Sequence, residues 1–273
     1  MKFTILGSSG FIGSHLAAFL KNQDIECFLP FRDYKFSASH NLGHIIYCIG
    51  ITSGFRSKPI ETVKAHVCKL IEVLENSSFQ SLLYLSSTRV YNGSKNGDET
   101  AVLNARSSDM SDLYNLSKLM GEALCFANPD HRIRIARLSN VVGDNFNSGD
   151  FLISMIKSAV DTGEINLNLP AGSSKDYIAI GDVTRLLQLI ALKGKHRIYN
   201  ISSGQPLSNR RLVDEIRKHT DCKIRFLNDE RELSFPVIEN KRIRKEFSFI
   251  PRKIIPEIKL LIKKYQKTKN DSN

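Results

Sequence analysis

The segment KFTILGSSGFIG, from Lys2 to Gly13, decides the fold of this chain. It begins with the short apolar run of a buried strand and continues into glycines at GxxGxxG spacing. Glycine allows a tight turn, a close approach of the backbone to a pyrophosphate, and close packing of helix on strand, and the helix N-terminus supplies free N–H groups. The segment predicts a dinucleotide-binding turn, and we expect its cofactor-binding residues to be Gly7, Ser9, Gly10, Phe11, Ile12 and Gly13.

Strand and helix patterns alternate from this segment to about residue 145. Short apolar runs predict strands at Lys2–Leu6, Ile25–Leu29, His44–Ile49, Leu82–Leu85 and Ile133–Leu138. Apolar residues at helical spacing predict helices after Gly10, over Pro59–Glu75 and over Asp112–Ala127. Such alternation implies parallel pairing and right-handed crossovers. We predict an α/β fold, a Rossmann-type doubly wound parallel sheet with its ligand crevice beyond the carboxyl ends of the strands.

The pattern is less regular beyond residue 145. Helices are predicted at Phe151–Asp161, at Asp182–Leu192 with Asp182 as the N-cap, at Ser208–His219 and at Pro256–Lys264. Strands are predicted at Arg197–Ile201 and Lys223–Leu227. We expect a dinucleotide-binding domain over residues 1–145, with segments returning to it near 176–205, and a smaller α/β substrate-binding lid domain over residues 146–273.

The composition is that of a globular protein that needs neither disulfides nor a metal. Of its 273 residues, 41% are hydrophobic and 25% are charged. The five cysteines are scattered and include no CxxC pair, so we expect no zinc site. The glycine-rich start is not typical of a signal peptide, and no apolar run approaches the roughly 18 residues of a membrane span. We expect a cytoplasmic protein.

The net charge of +11 suits an anionic ligand such as a nucleotide, although nucleic acid or an acidic membrane would also exploit it. Much of the excess lies after residue 240, where solvated surface helices account for it, so we expect no nucleic-acid partner. Residues 251–269 combine an apolar face with lysines. That pattern fits docking onto the lid domain or onto a second subunit, and membrane contact is the least favoured interpretation.

The end of the second predicted strand bears on the choice of cofactor. Enzymes that use NAD usually carry an acidic residue there, which binds the ribose 2′-hydroxyl. This chain instead reads Pro30-Phe31-Arg32-Asp33. Because an arginine suits a 2′-phosphate, Arg32 predicts NADP, and NAD is the alternative if Asp33 takes the acidic role.

Tyr114 and Lys118 form a YxxxK motif within a predicted helix, which places them on one face about one turn apart. A phenol is too weak an acid to exchange its proton easily at neutral pH, and we expect the ammonium alongside to lower its pKa and to bind the cofactor ribose. The hydroxyls of Ser86, Ser87 and Thr88 follow a predicted strand, with Ser87 lying 27 residues upstream of Tyr114. Such a hydroxyl can orient a substrate carbonyl towards the phenol.

At these residues the sequence resembles the extended short-chain dehydrogenase/reductases, a family of sugar-nucleotide epimerases, dehydratases and 4-ketoreductases. GSSGFIG, LYLSSTRVY and YNLSK are similar to the family's cofactor turn, its S-S/T-x-x-V-Y segment and its catalytic motif. The resemblance implies that Ser87, four residues before Tyr91, is the catalytic hydroxyl, with Thr88 as the second candidate and a substrate-binding residue.

Later segments extend the resemblance and imply residues for the substrate diphosphate. Asn140 lies in RLSNVVG, which is similar to the family's R-x-x-N stretch, and Lys175 lies in KDYI where the family has arginine. Arg231 is similar in place to a substrate-phosphate arginine. The resemblance also implies a homodimer, formed through two helices of the sheet that include the YxxxK helix.

Several departures from the family pattern are informative. Only 14 residues separate Pro30 from Ile45, so we expect a vestigial third strand and an open adenine side. His66 stands where the family has an asparagine that supports a proton relay; packing within the helix and a substitute relay both fit it. Thr88 and Arg89 occupy the positions of the dehydratases' Asp-Glu pair, and an arginine cannot act as the acid or base that dehydration requires.

Together these patterns predict an NAD(P)-dependent oxidoreductase that acts on a nucleoside-diphosphate sugar. The favoured interpretation is a 4-ketoreductase using NADPH, and the first alternative is an NAD-dependent sugar-nucleotide epimerase. The alternative from another class is a non-catalytic dinucleotide- or RNA-binding protein, against which the presence of Ser87, Tyr114 and Lys118 together argues.

Overall fold

A computed structural model describes residues 1–52, 54–227 and 235–271 of the chain. Its strands are β1 Lys2–Leu6, β2 Glu26–Phe28, β3 His44–Tyr47, β4 Ser81–Ser87, β5 Ile133–Leu138, β6 Asn140–Val142, β7 Glu164–Leu167, β8 Ser174–Lys175, β9 Tyr177–Ala179, β10 Ile198–Ile201, β11 Leu207–Ser208 and β12 Lys223–Phe226. Its helices are α1 Phe11–Lys21, α2 Pro59–Val63, α3 Lys69–Asn76, α4 Leu113–Ala127, α5 Phe151–Asp161, α6 Ile180–Lys193, α7 Asn209–Thr220, α8 Lys241–Phe247 and α9 Ile254–Asn270. A π-helical turn, Lys64–Cys68, joins α2 to α3, and 3₁₀ turns span Thr88–Tyr91 and Met110–Asp112.

Six strands form one parallel sheet in the order β2-β1-β3-β4-β5-β10. Nearly every residue of β1, β3, β4 and β5 is buried, as expected for parallel strands covered by helices on both faces. Helices α1 and α6 cover one face, and α3 and α4 cover the other. The predicted α/β Rossmann-type fold is confirmed.

A second hydrophobic core lies among α5, α7 and α9 and the β7–β12 pair. The apolar face of α9 is buried there through Ile254, Ile258, Leu261 and Ile262, so this face is covered by the rest of the chain. Segments that return to the main sheet reach further than predicted, because Ile243 and Phe249 also enter the first core. The division into domains at residue 145 stays a prediction.

The sheet ends at β2, a strand of only three residues. Residues 29–43 contain neither helix nor strand, which agrees with the expected loss of the third strand. This loop folds on its own aromatic side chains instead: the Tyr34 ring contacts Phe28, Phe31 and Phe36. The adenine side of the predicted cofactor crevice is therefore bordered by an irregular loop.

Of three further sequence predictions, two differ from the structure and one concerns a residue outside the described ranges. Helix α6 begins at Ile180 with Ala179 at its N-cap, so Asp182 is not the cap; its carboxylate accepts a hydrogen bond from the backbone N–H of Arg252 instead. The predicted helix over 59–75 is interrupted by the π-helical turn. Arg231 lies outside the described residues.

Among the helices of the described ranges, none has the length and apolar character needed to cross a membrane.

A buried ion pair ties helix α4 to the sheet and gives a test of this packing. Glu122 and Arg137 are each 5% exposed in their side chains, and Arg137 Nη2 lies 2.6 Å from Glu122 Oε2. We expect Glu122→Ala to lower the free energy of unfolding by about 3–5 kcal/mol, because it leaves a buried guanidinium unpaired. Urea denaturation measures this. Glu72→Ala, which breaks the partly exposed pair with Lys69, is the control and should cost about 1 kcal/mol or less.

Candidate active site

The glycine turn after β1 has the geometry that a pyrophosphate requires. Gly7 adopts a φ of +81°, which a side chain rarely permits, and a Cβ at Gly13 would collide with the carbonyl oxygen of Gly7. Helix α1 starts with Gly10 at its N-cap, with no side-chain cap and no acidic residue in the first turn. Its first N–H groups are thus left to an anion, so the turn fits the predicted cofactor.

Residues 48–50, which follow β3, lie close both to the glycine turn and to the end of α4 that carries the YxxxK motif. A Cβ at Gly7 would lie 3.0 Å from the backbone of Cys48 and Ile49. A Cβ at Gly50 would lie 3.5 Å from Lys118 Nζ. The same short segment therefore borders both the predicted phosphate-binding turn and the predicted catalytic lysine.

Ser87, Tyr114 and Lys118 converge at the carboxyl end of β4. Ser87 is the last residue of that strand and its hydroxyl makes a hydrogen bond with Tyr114. Tyr114 and Lys118 are buried one turn apart on α4, and Lys118 Nζ donates to the carbonyl oxygen of Leu85 at 2.8 Å. Thr88 is buried within the following 3₁₀ turn. The structure thus brings together the three residues that the sequence predicts to be catalytic; their roles stay predictions.

Burial dominates the protonation of these groups. It raises the pKa of Tyr114, and the Ser87 hydrogen bond and the Arg89 guanidinium oppose that rise. Desolvation lowers the pKa of Lys118 to about 7, against the pull of the Glu122 carboxylate. The sequence-based expectation that Lys118 depresses the Tyr114 pKa is therefore wrong for this structure: the opposing groups are Ser87 and Arg89, and the lysine itself loses charge readily.

His66 is fully buried in the π-helical turn and both of its ring nitrogens are engaged. The backbone N–H of Ile51 donates to Nε2 at 3.2 Å, so the proton resides on Nδ1, which donates to Ser117 Oγ at 2.8 Å. Ser117 Oγ in turn donates to the carbonyl oxygen of Tyr114. Desolvation and the nearby Lys118 lower the His66 pKa to about 3. Of the two interpretations of His66, these contacts favour packing, because neither nitrogen is left to relay a proton.

The remaining predicted site residues are more exposed. Asn140 Nδ2 donates to the carbonyl oxygen of Asp176, and Lys175 directly precedes that residue at the end of β8. Arg32 is exposed in the loop after β2, and the described residues give it no hydrogen bond or ion pair.

Sequence patterns missed three side chains that line the site. The Phe55 ring lies 5.5 Å from that of Tyr114, and the guanidinium groups of Arg56 and Arg89 lie 4.6 and 5.4 Å from the Phe55 ring centre. Phe55 and Arg56 lie in an irregular segment without periodicity, so only the folded chain reveals them. Arg89 does carry a sequence signal, because it follows Ser87 and Thr88 directly, but that position alone indicates only that a dehydratase's acidic pair is missing.

The neutral, buried state of His66 predicts a pH dependence of stability. An unfolded histidine binds a proton below about pH 6.5, whereas folded His66 resists it down to about 3, so this residue's contribution to stability is lost as the pH falls through that range. We expect His66→Asn to flatten the decline of the unfolding free energy between pH 6 and 4 by up to about 1.4 kcal/mol per pH unit. Urea denaturation at a series of pH values measures it, and parallel curves for both proteins would contradict the assignment.

Comparisons with known proteins agree with this geometry. The sequence model of the "NAD dependent epimerase/dehydratase family" matches residues 3–202. No curated protein matches the chain in sequence. Among solved structures, it resembles RMD from Pseudomonas aeruginosa complexed with NADPH, at 18% identity over 98% of this chain and 99% of that one, with a TM-score of 0.80.

Two further solved structures are similar in fold. The NAD dependent NDP-hexosamine 5,6-dehydratase TunA gives a TM-score of 0.83 at 17% identity, covering 97% of this chain and 98% of that one. The UDP-glucose 4-epimerase of Thermotoga maritima, with UDP-glucose, gives 0.81 at 16% identity, covering 98% and 99%. These identities speak for the fold alone. The family model, however, spans more than half of the 273 residues, and the chain therefore belongs to the NAD dependent epimerase/dehydratase family.

Proposed function

We propose that this protein reduces a keto group at C4 of a nucleoside-diphosphate sugar with NADPH. The observation that carries the proposal is the meeting of a serine hydroxyl, a phenol and a lysine at the carboxyl end of β4, beside the glycine turn. In a doubly wound sheet this edge is where ligands bind. A protein that only bound a dinucleotide or RNA would have no use for these three groups together.

In this proposal NADPH, when bound, supplies a hydride to the sugar carbon. Tyr114 donates its phenol proton to the oxygen that becomes the hydroxyl group. The Ser87 hydroxyl donates a hydrogen bond to the same oxygen and so fixes the carbonyl against the phenol. Lys118, with a pKa of about 7, exchanges protons readily near neutral pH and can bind the nicotinamide ribose.

The surroundings favour a reductase over a dehydratase. Thr88 and Arg89 follow Ser87, and neither is the carboxylic acid or carboxylate that removal of water would require. For the substrate diphosphate we propose Asn140 and Lys175, which are adjacent because Asn140 N–H and Nδ2 both donate to the Asp176 carbonyl. Arg231, our third candidate, lies outside the described residues.

Arg32 supports NADP as the cofactor because it is exposed, unpaired among the described residues and placed just beyond the edge strand β2. The second candidate function is an NAD-dependent sugar-nucleotide epimerase, and the neighbouring exposed Asp33 favours it, since a carboxylate there suits a ribose 2′-hydroxyl. An epimerase would oxidise and then reduce the same carbon with one retained cofactor.

We also propose a homodimer. Helix α4 presents a stripe of small and apolar residues that the chain leaves half-buried or exposed, at Leu116, Met120, Ala123 and Ala127. Met120 alone is 54% exposed. Packing of this stripe on a second copy would place two YxxxK helices back to back.

Replacement of Tyr114 tests the catalytic assignment. We expect Tyr114→Phe to lower kcat for NADPH oxidation with a 4-keto sugar nucleotide by about 10²–10⁴-fold, because the proton donor is lost while the ring packing remains. NADPH absorbance gives the rate, and NADPH binding should be unchanged. Tyr265→Phe, which removes a surface hydroxyl bonded to Asp161, is the matched control. Retention of full turnover by Tyr114→Phe would exclude the proposed chemistry.

Replacement of Arg32 tests the cofactor. We expect Arg32→Ala to reduce the preference for NADPH over NADH, measured as the ratio of the two Kd values, by about 10-fold or more, because a charge-assisted contact to the 2′-phosphate is removed. Lys35→Ala, an exposed cation in the same loop, should leave the ratio within about twofold. A wild-type protein that prefers NADH, or is purified with NAD already bound, would favour the epimerase instead.

A further inference from the structure

Two guanidinium groups, those of Arg56 and Arg89, lie beside Tyr114 and the neighbouring Phe55 ring. The Arg89 guanidinium lies 6.0 Å from the Tyr114 ring centre and 5.4 Å from that of Phe55, and Arg56 stacks on the same phenylalanine at 4.6 Å. Burial, and after it the charge of Arg89, lowers the pKa of Lys175, and burial, and after it the charge of Arg56, lowers the pKa of Arg89. These like charges repel one another, and Arg89 is half-buried.

Most hydrogen-bond donors of the Arg89 guanidinium group have no acceptor among the described residues. A guanidinium has five N–H donors, yet among the described residues Arg89 makes one side-chain hydrogen bond, from Nη2 to the carbonyl oxygen of Ser111 at 3.2 Å. Its Nε is shielded and has no hydrogen-bond partner. Buried polar groups are nearly always paired, so an orphaned donor beside a binding crevice indicates a missing acceptor.

No carboxylate of the described residues neutralises this cluster. None lies within ion-pair distance of Arg56, Arg89 or Lys175. Asp109 and Asp112 are the acidic residues whose charge reaches Arg89, but both carboxylates are engaged elsewhere. Asp112 accepts from Asn115 and from the backbone of Arg106, and Asp109 accepts from the backbone of Ser111. Among the described residues the cluster thus lacks a paired counter-charge, which an anionic ligand would supply.

The place of the cluster indicates which part of the ligand is charged. Arg89 is two residues from Ser87 and faces the Tyr114 ring, so an anion bound there lies beside the reacting carbon. In a pyranose C1 and C4 lie on opposite sides of the ring, which directs a diphosphate on C1 away from Tyr114. C5 is bonded to C4, and a carboxylate carried by C5 lies beside the carbon that reacts.

We propose that the sugar of the substrate is a hexuronic acid, whose carboxylate binds Arg89 with Arg56 beside it. The inference rests on the proposed sugar-nucleotide function and specifies its substrate class. A guanidinium suits a carboxylate because it can form two parallel charge-assisted hydrogen bonds. Part of the protein's net charge of +11 would thereby contact the substrate.

Paired ligands that differ at this one group test the proposal. Calorimetry with NADP⁺ present would compare UDP-glucuronic acid with UDP-glucose, UDP-galacturonic acid with UDP-galactose, and GDP-mannuronic acid with GDP-mannose. We expect the wild-type protein to bind the acidic member of at least one pair about 10-fold more tightly or better. Arg89→Gln should remove that preference, weakening the acidic ligand by about 10-fold or more and the neutral one by less than about threefold.

Two further variants sharpen the result. Arg89→Lys keeps the charge without the planar fork and should retain part of the preference. Arg217→Gln, an exposed cation on α7, changes the net charge equally and should leave every affinity unaltered. The melting temperature and NADP⁺ affinity of each variant establish that the fold and the cofactor site survive.

The outcomes separate the two proposals. Tighter or equal binding of the neutral member in every pair would overturn the hexuronic acid assignment and leave the reductase proposal standing. Equal weakening of both members by Arg89→Gln would also overturn it, since the arginine would then bind the diphosphate that both share. Failure of all six ligands to bind the NADP⁺-loaded protein would count against the sugar-nucleotide function itself.

Discussion

Helix α4 is held against the sheet by the buried ion pair of Glu122 and Arg137, and the candidate catalytic groups depend on it because two of them lie on that helix. The pair is embedded in further hydrogen bonds: Ser86 donates to Glu122 at 2.5 Å, and Arg137 donates to the Tyr91 hydroxyl at 2.8 Å. A buried ion pair stabilises only when its remaining polar atoms are satisfied, and here they are. The network fixes α4 relative to β4 and β5, so the distance from Ser87 to Tyr114 follows from structural chemistry outside the site.

The same network sets the protonation of the site. Glu122 is one turn beyond Lys118 and favours its charged form, while burial favours the neutral form and prevails, which brings the pKa to about 7. His66 lies near the same lysine and is kept neutral by burial and by the charge of Lys118, while the backbone N–H of Ile51 donates to its Nε2. A neutral imidazole adds no positive charge beside an already desolvated ammonium. We infer that the histidine is tolerated at this position because its burial disfavours the charged form.

How far the sequence predicts the site depends on how local each feature is. The glycine turn and the Tyr114–Lys118 pair are defined by spacing within one turn or helix, so pattern and geometry agreed. The electrostatics did not follow from spacing, because burial and the charge of Arg89 act through tertiary packing; Tyr114 was expected to gain acidity from Lys118 and does not. Helix starts show the same limit. Asp182 has the chemistry of an N-cap, but its carboxylate is used by Arg252, a residue 70 positions away.

No sequence pattern indicates that Phe55 and Arg56 belong to the site. They belong to an irregular segment after β3; Phe55 contacts the Tyr114 ring, and Arg56 stacks on Phe55. The shortened edge of the sheet was, in contrast, foreseeable by counting, since too few residues separate the second and third predicted strands for another strand and helix. Chain length thus constrains topology more firmly than residue type constrains loop contacts.

The short edge also bears on how the cofactor is used. With β2 as the outermost strand and Phe31 72% exposed in the loop beyond it, the adenine half of a dinucleotide would meet little regular structure. Its binding would then depend on the pyrophosphate turn and on charge at Arg32, and both contacts are solvent-accessible. An epimerase must retain its nicotinamide through oxidation and reduction of one carbon, whereas a reductase must release the spent cofactor after every turnover. An open adenine side would ease such release, which agrees with the reductase that we propose and does not depend on the catalytic residues.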